Sequence, residues 1–170
     1  MKNIIIKNGL IAGTIVSLFM VISMYYLHES GKAEGSMLLG YASMLVAFSF
    51  VFIGVKKYRD TLGEGKITFG IAFKVGLGIS VIASVMYTLA WAIEYHFFMP
   101  DFMENMISAT SEKLKSEIKD PVLLAEKIKE IESGRDLYAN IFSFLGITFS
   151  EIFPVGLLVS LVSALILKKK

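Results

Sequence analysis

The sequence predicts an all-α integral membrane protein, with four transmembrane helices and an amphipathic helical insert between the third and the fourth. Three observations carry that prediction. First, 55% of the residues are hydrophobic and the mean hydropathy is +0.65, too apolar for an ordinary soluble domain, while 170 residues are too few for a large transporter. Second, four apolar runs, at about 4–27, 36–55, 67–95 and 137–167, are long enough to cross a hydrocarbon core of ~30 Å at ~1.5 Å per residue. Third, Lys56, Lys57, Arg59 and Lys66 crowd the short segment between the second and third runs. Short basic loops are retained on the cytoplasmic side, so this loop orients the whole chain.

The first run follows Met1 and Lys2. It is longer than the core of a signal peptide, and the polar stretch after it, His28 to Gly35, offers no small-x-small cleavage pattern, so it reads as a retained helix. Gly9, Gly13 and Ser17 fall four apart on it, a flat stripe on which another helix can approach closely. The second run, from Ser36 to Val55, carries no charge and returns the chain to the cytoplasm. The stretch Lys56–Asp60 then reads as a turn that closes in Gly63, Glu64, Gly65 and Lys66, whose glycines permit positive φ. Helices two and three are therefore an antiparallel hairpin.

The third run repeats the small-residue pattern at Gly76, Ser80 and Ser84. It finishes in Trp91, Tyr95, His96, Phe97 and Phe98, residues of the kind that gather at lipid headgroups and mark the outer boundary. The polar segment 100–136 reads as two helices. Pro100 sits where a first-turn proline is tolerated, Asp120 and Pro121 form an N-cap and N1 pair, and Ser133 with Gly134 stops the second helix. Phe102, Met106, Ile107, Leu114 and Ile118 recur at near-helical spacing, as do Leu124, Ile128 and Ile131, which makes both helices amphipathic. The segment holds nine acidic residues against six basic ones, as an extracytoplasmic insert would. The fourth run, from Leu137, contains Pro154 and ends before Lys168, Lys169 and Lys170; its length puts its first turns beyond the outer surface. Under this topology nine basic residues face inward against Asp60 and Glu64, so both termini are expected in the cytoplasm of a multi-pass inner-membrane protein.

Ionisable residues within the runs are the candidates for chemistry, because such a group at mid-bilayer costs roughly 2.5–3.5 kcal/mol on insertion scales. Glu151 is the sharpest. It reads either as a proton or cation site beside a backbone carbonyl freed by Pro154, or as a carboxyl group bonded to hydroxyls such as those of Ser80, Ser84 or Thr88. Lys74 reads as a snorkelling lysine or as a partner for Glu151, although helix rise places the two about 12 and 24 Å from the cytoplasmic ends. At the other boundary His28, Glu29, Glu94 and His96 form a candidate outer-interface cluster. Two imidazoles and two carboxylates suffice for a divalent metal, yet no metalloenzyme spacing accompanies them, and polar residues are expected at a boundary, so no metal or cofactor is assigned.

Other signatures are missing. There is no cysteine, which excludes disulfides, thiolate nucleophiles and cysteine-ligated metals, and there is no phosphate loop, nucleophile elbow or dinucleotide fingerprint. The formal charge of +2 arises from topological lysines and gives no nucleic-acid signature.

Gly54, Val55, Lys56, Lys57, Tyr58, Arg59 and Asp60, followed by Gly65, Lys66, Ile67, Thr68, Phe69, Gly70, Ala72, Phe73 and Gly76, form the most specific pattern in the chain. With Phe98, Met99, Pro100 and Asp101 after the third run, and Glu151, Ile152, Phe153, Pro154 and Gly156 in the fourth, the sequence resembles domain-of-unknown-function family 4199, small membrane proteins of Bacteroidota. The resemblance implies a four-helix inner-membrane protein without an assigned activity. Two functional readings follow. The first is a non-enzymatic interaction or structural module, bound to membrane lipids and to a membrane or periplasmic partner or a second copy of itself. The alternative is a small transporter or channel subunit using Glu151 and Lys74.

Overall fold

The computed structural model describes residues 1–30 and 37–169, with side chains described for 1–26 and 38–169. Its elements are α1 (Lys2–Ser30), α2 (Met37–Leu62), α3 (Phe69–Phe97), α4 (Phe102–Glu117), α5 (Pro121–Ala139) and α6 (Ile141–Leu167). Four of them, α1, α2, α3 and α6, are long and apolar enough to cross a membrane, and together they form the bundle of a membrane protein. Its centre is α3, which packs along α1 on one flank and α6 on the other, while α2 touches all three.

Small residues set these crossings, as their spacing predicts. A Cβ on Gly9, Gly13 or Gly78 would fall within 3 Å of Ile82, Met86 or Ile5 respectively. The rising register makes α1 and α3 parallel. Against α6 the register falls. Gly76 meets Ser160, and a Cβ on Gly156 would lie 2.8 Å from both the Phe48 ring and Ser80 Cβ, so α3 and α6 are antiparallel. At that crossing Ser80 Oγ donates to the Gly156 carbonyl at 3.0 Å and lies 2.9 Å from Ser160 Oγ, all of it buried. In hydrocarbon, close van der Waals approach and interhelical hydrogen bonds replace the hydrophobic effect as the force between helices.

Three boundaries differ from the sequence reading. The stretch Lys56–Asp60 is not a turn: α2 continues through it to Leu62. Lysine and arginine are good helix formers, and cations are favoured at a helix C-terminus. The turn comes next, where Gly63 N donates to Tyr58 O and Gly65 N to Arg59 O. Glu64 and Gly65 there take φ of 51° and 81°, a left-handed C-terminal stop. Likewise α5 does not stop at Ser133 and Gly134. It runs on to Ala139, because one helical glycine costs only ~1 kcal/mol and the decisive break is Asn140, whose side chain accepts from Phe142 N and Ser143 N. Residues 137–139 therefore belong to α5, and α6 starts about one turn later than expected.

The start of α5 agrees with the sequence reading: Asp120 Oδ1 accepts from Val122 N at 2.8 Å, with Pro121 in the first turn. At the opposite end of the bundle Ile67 and Lys169 exchange both backbone hydrogen bonds, each 2.9 Å. That pair ties the entry of α3 to the exit of α6. The end carrying α4 and α5 is called the capped end below.

Candidate functional site

Polar chemistry concentrates at the capped end, where α3 finishes. Trp91 and Tyr95 are one turn apart on the same face, and both turn inward rather than forming a headgroup belt. Trp91 is buried and meets the Phe102 ring edge-on at 5.1 Å. Tyr95 lies 5.0 Å from Phe144 and 5.7 Å from Tyr138. This aromatic cluster joins α3, α4, α5 and α6, and Met20 from α1 and Met99 complete its apolar floor. The residues left facing outward are Phe97 and Phe98. Burial pushes the Tyr138 hydroxyl up to about 12.

On the α1 side of the same helix end stands Glu94, only 6% exposed, with an Oε2 that is buried and has no hydrogen-bond partner among the described residues. Its carbonyl is occupied, accepting from Phe98 N and Met99 N at 2.9 and 3.0 Å. The side chain thus presents a bare carboxylate oxygen at the negative end of the helix dipole, an arrangement suited to a cation or a hydrogen-bond donor.

Of the outer-interface candidates named from sequence, Glu94 and His96 face apart. His96 lies two residues from Glu94, about 200° around the helix, and faces α6: its ring sits 5.5 Å from Phe144, and its Nδ1–H donates to the Ala92 carbonyl at 2.9 Å. The side chains of His28 and Glu29 lie outside the described residues. Among the described residues no three of His, Cys, Asp and Glu come together to hold a metal.

Glu151 lies on the exposed face of α6. Two of the three hydroxyls expected to serve it are used elsewhere: Ser80 binds Gly156 and Ser160, and Thr88 donates to the Ser84 carbonyl at 2.9 Å, while Ser84 Oγ is buried without a hydrogen-bond partner among the described residues. Pro154 shares the exposed face. Lys74 is also exposed, five residues into α3. Counting ~1.5 Å per residue from Phe69 and Leu167, the helix ends beside the Ile67–Lys169 pair, Lys74 sits about 8 Å and Glu151 about 24 Å along the bundle, too far for an ion pair.

A family model described as a protein of unknown function, DUF4199, matches residues 7–169. The chain belongs to this family. No curated protein and no solved structure matches it. The DUF4199 match spans all six helices, so the capped end and the bundle are parts of one family unit. Within this DUF4199 chain the inward-turned aromatic cluster is what the sequence reading missed. Its signal was the one-turn spacing of Trp91 and Tyr95, which equally suits a headgroup belt and a buried face.

Proposed function

We propose that this DUF4199 chain is a non-enzymatic interaction module of the inner membrane, with both termini cytoplasmic and the α4–α5 cap outside, offering α5 to a protein partner. One observation carries the reading: none of the nineteen residues of α5 is fully buried, and the helix reaches the aromatic cluster through Tyr138 in its last turn. Its neighbour behaves differently. Met103, Ile107 and Ser111 of α4 are buried, which supports a role for α4 as the lid of the bundle and for α5 as a surface raised on it. Arg135 of α5 and Glu104 of α4 pair at 2.7 Å, both half-exposed; such a surface bridge contributes at most ~1 kcal/mol, so α5 keeps its charged face free for docking. The orientation rests on the basic residues around Lys57 and Lys66.

A photo-crosslinker placed at Ser133 in the native membrane tests the reading. A discrete crosslinked species is expected, and the pair Lys127→Glu with Lys129→Glu should remove it while leaving the protein folded. Absence of any crosslink, or an identical one from the charge-reversed protein, refutes it. The transporter reading retains one supporting observation, the exposed Glu151 at membrane depth. In proteoliposomes it requires a flux that Glu151→Gln abolishes.

A further inference from the structure

Between α1 and α3, just below the capped end, lies a cavity of about 530 Å³ lined by Val21, Tyr25, Ala90, Ile93, Phe98 and Glu94. That volume is within the range of small-molecule sites, ~300–1,000 Å³. Apart from the Tyr25 hydroxyl, the one polar side chain on the wall is Glu94, and its buried Oε2 meets no donor among the described residues. A carboxylate in an apolar wall is expensive unless it takes up a proton or something pairs with it.

Three features select the sign of that partner. Glu94 in its ionised form is anionic, the last carbonyls of α3 lie at the same helix end, and two aromatic side chains, Tyr25 and Phe98, line the cavity, the residue type that attracts cations. All three favour a cation. The rest of the wall selects its body. Val21, Ala90 and Ile93 offer no hydrogen bonds, so a small hydrated amine would be desolvated without return, whereas an alkyl chain loses nothing there. Depth agrees as well. Glu94 lies three residues before the end of α3, about 4.5 Å inside it, which is headgroup level, and Ala90 lies one turn deeper, where acyl chains begin.

We propose that this cavity holds an amine-headed lipid, with its ammonium on Glu94 and the start of one acyl chain between Val21 and Ala90. The chemical class is that of phosphatidylethanolamine; an anionic headgroup without an amine is repelled by the same carboxylate.

Native mass spectrometry of the purified full chain, given equal amounts of dioleoyl phosphatidylethanolamine and dioleoyl phosphatidylglycerol, is the test. The wild type should retain the amine lipid over the glycerol lipid by about tenfold or more, equivalent to ~1.4 kcal/mol, and Glu94→Gln should bring the ratio to about one. Ala90→Phe fills the cavity while keeping the carboxylate, and should lower amine-lipid retention by a similar factor, so the proposal stays testable if the Glu94 variant fails to fold. Glu151→Gln should keep the wild-type ratio. Equal retention of both lipids by the wild type, or a full preference in Glu94→Gln, overturns the proposal. So does a preference that emerges only in Lys32→Ala, since the chain's own ammonium would then occupy the carboxylate.

Discussion

Placing a methyl group at Gly156 tests whether close approach of α3 and α6 holds the bundle together. In Gly156→Ala the new Cβ would stand 2.8 Å from the Phe48 ring atoms and from Ser80 Cβ. The ring can rotate, but Ser80 Cβ is fixed to the α3 backbone, so the helices must separate and the 3.0 Å bond from Ser80 Oγ to the Gly156 carbonyl must lengthen. Overpacking costs about 1–3 kcal/mol, a hydrogen bond between membrane helices contributes ~0.6, and the better helix propensity of alanine returns ~1. The net loss is therefore about 0.5–2.5 kcal/mol. Gly146, on the same helix, has nothing within 4 Å of its added Cβ, so Gly146→Ala isolates the propensity gain. Denaturant titration in mixed micelles should rank Gly146→Ala at or above the wild type and Gly156→Ala below it. Values for the two that agree within about 0.5 kcal/mol, the scatter of independent sites, would refute the packing argument.

Phe102→Asp with Ile107→Asp should detach α4, and Trp91, the only tryptophan, reports it: its emission should shift to the red as the ring 5.1 Å away is lost. Asn140→Ala removes the acceptor for two amides of α6 and should cost about 1 kcal/mol, the usual worth of an N-cap. Alkali should weaken the fold through Tyr138. Burial pushes its hydroxyl up to about 12 in the folded chain, above the ordinary tyrosine value of about 10, so its contribution is complete below about pH 10 and is lost as the pH rises from about 10 to 12; Tyr138→Phe should flatten that part of the stability profile. Cysteines introduced singly at Lys66 and Ser116, in a chain that has none, should react with an impermeant reagent in intact cells only at 116; labelling at 66 alone would invert the proposed orientation.

The fold was legible because its signals are long. Four apolar runs and two glycine stripes need no partner to be seen, and Gly9, Gly13 and Gly76 do meet the neighbouring helices. The boundaries misread were those where a local signal was weaker than its competitor: Gly134 against an uninterrupted helix, and Lys56–Asp60 against the ease with which charged residues extend one. The site was half legible. Glu94 was named, but grouped with His96, and a separation of two residues on a helix places such a pair on opposite faces. That its Oε2 meets no donor among the described residues follows from which side chains α1 brings opposite, which spacing along one chain does not encode. The surroundings of Glu151 were hidden for the same reason. Nothing in the sequence says which face of α6 meets Ser80.

The hydrogen bond from Ser80 to Gly156 spans 76 residues, which has a consequence for biosynthesis. At 5–20 residues per second, α3 enters the bilayer roughly 4–15 s before the ribosome has made the carbonyl that Ser80 will bind. Through that interval α1, α2 and α3 wait as a three-helix intermediate, with the faces of Gly76 and Ser80 open to lipid and with no clasp yet between Ile67 and Lys169. The last helix acts as the closing piece, and a stalled or truncated chain exposes the seam it would have covered, the feature by which a quality-control protease can tell an unfinished bundle from a complete one.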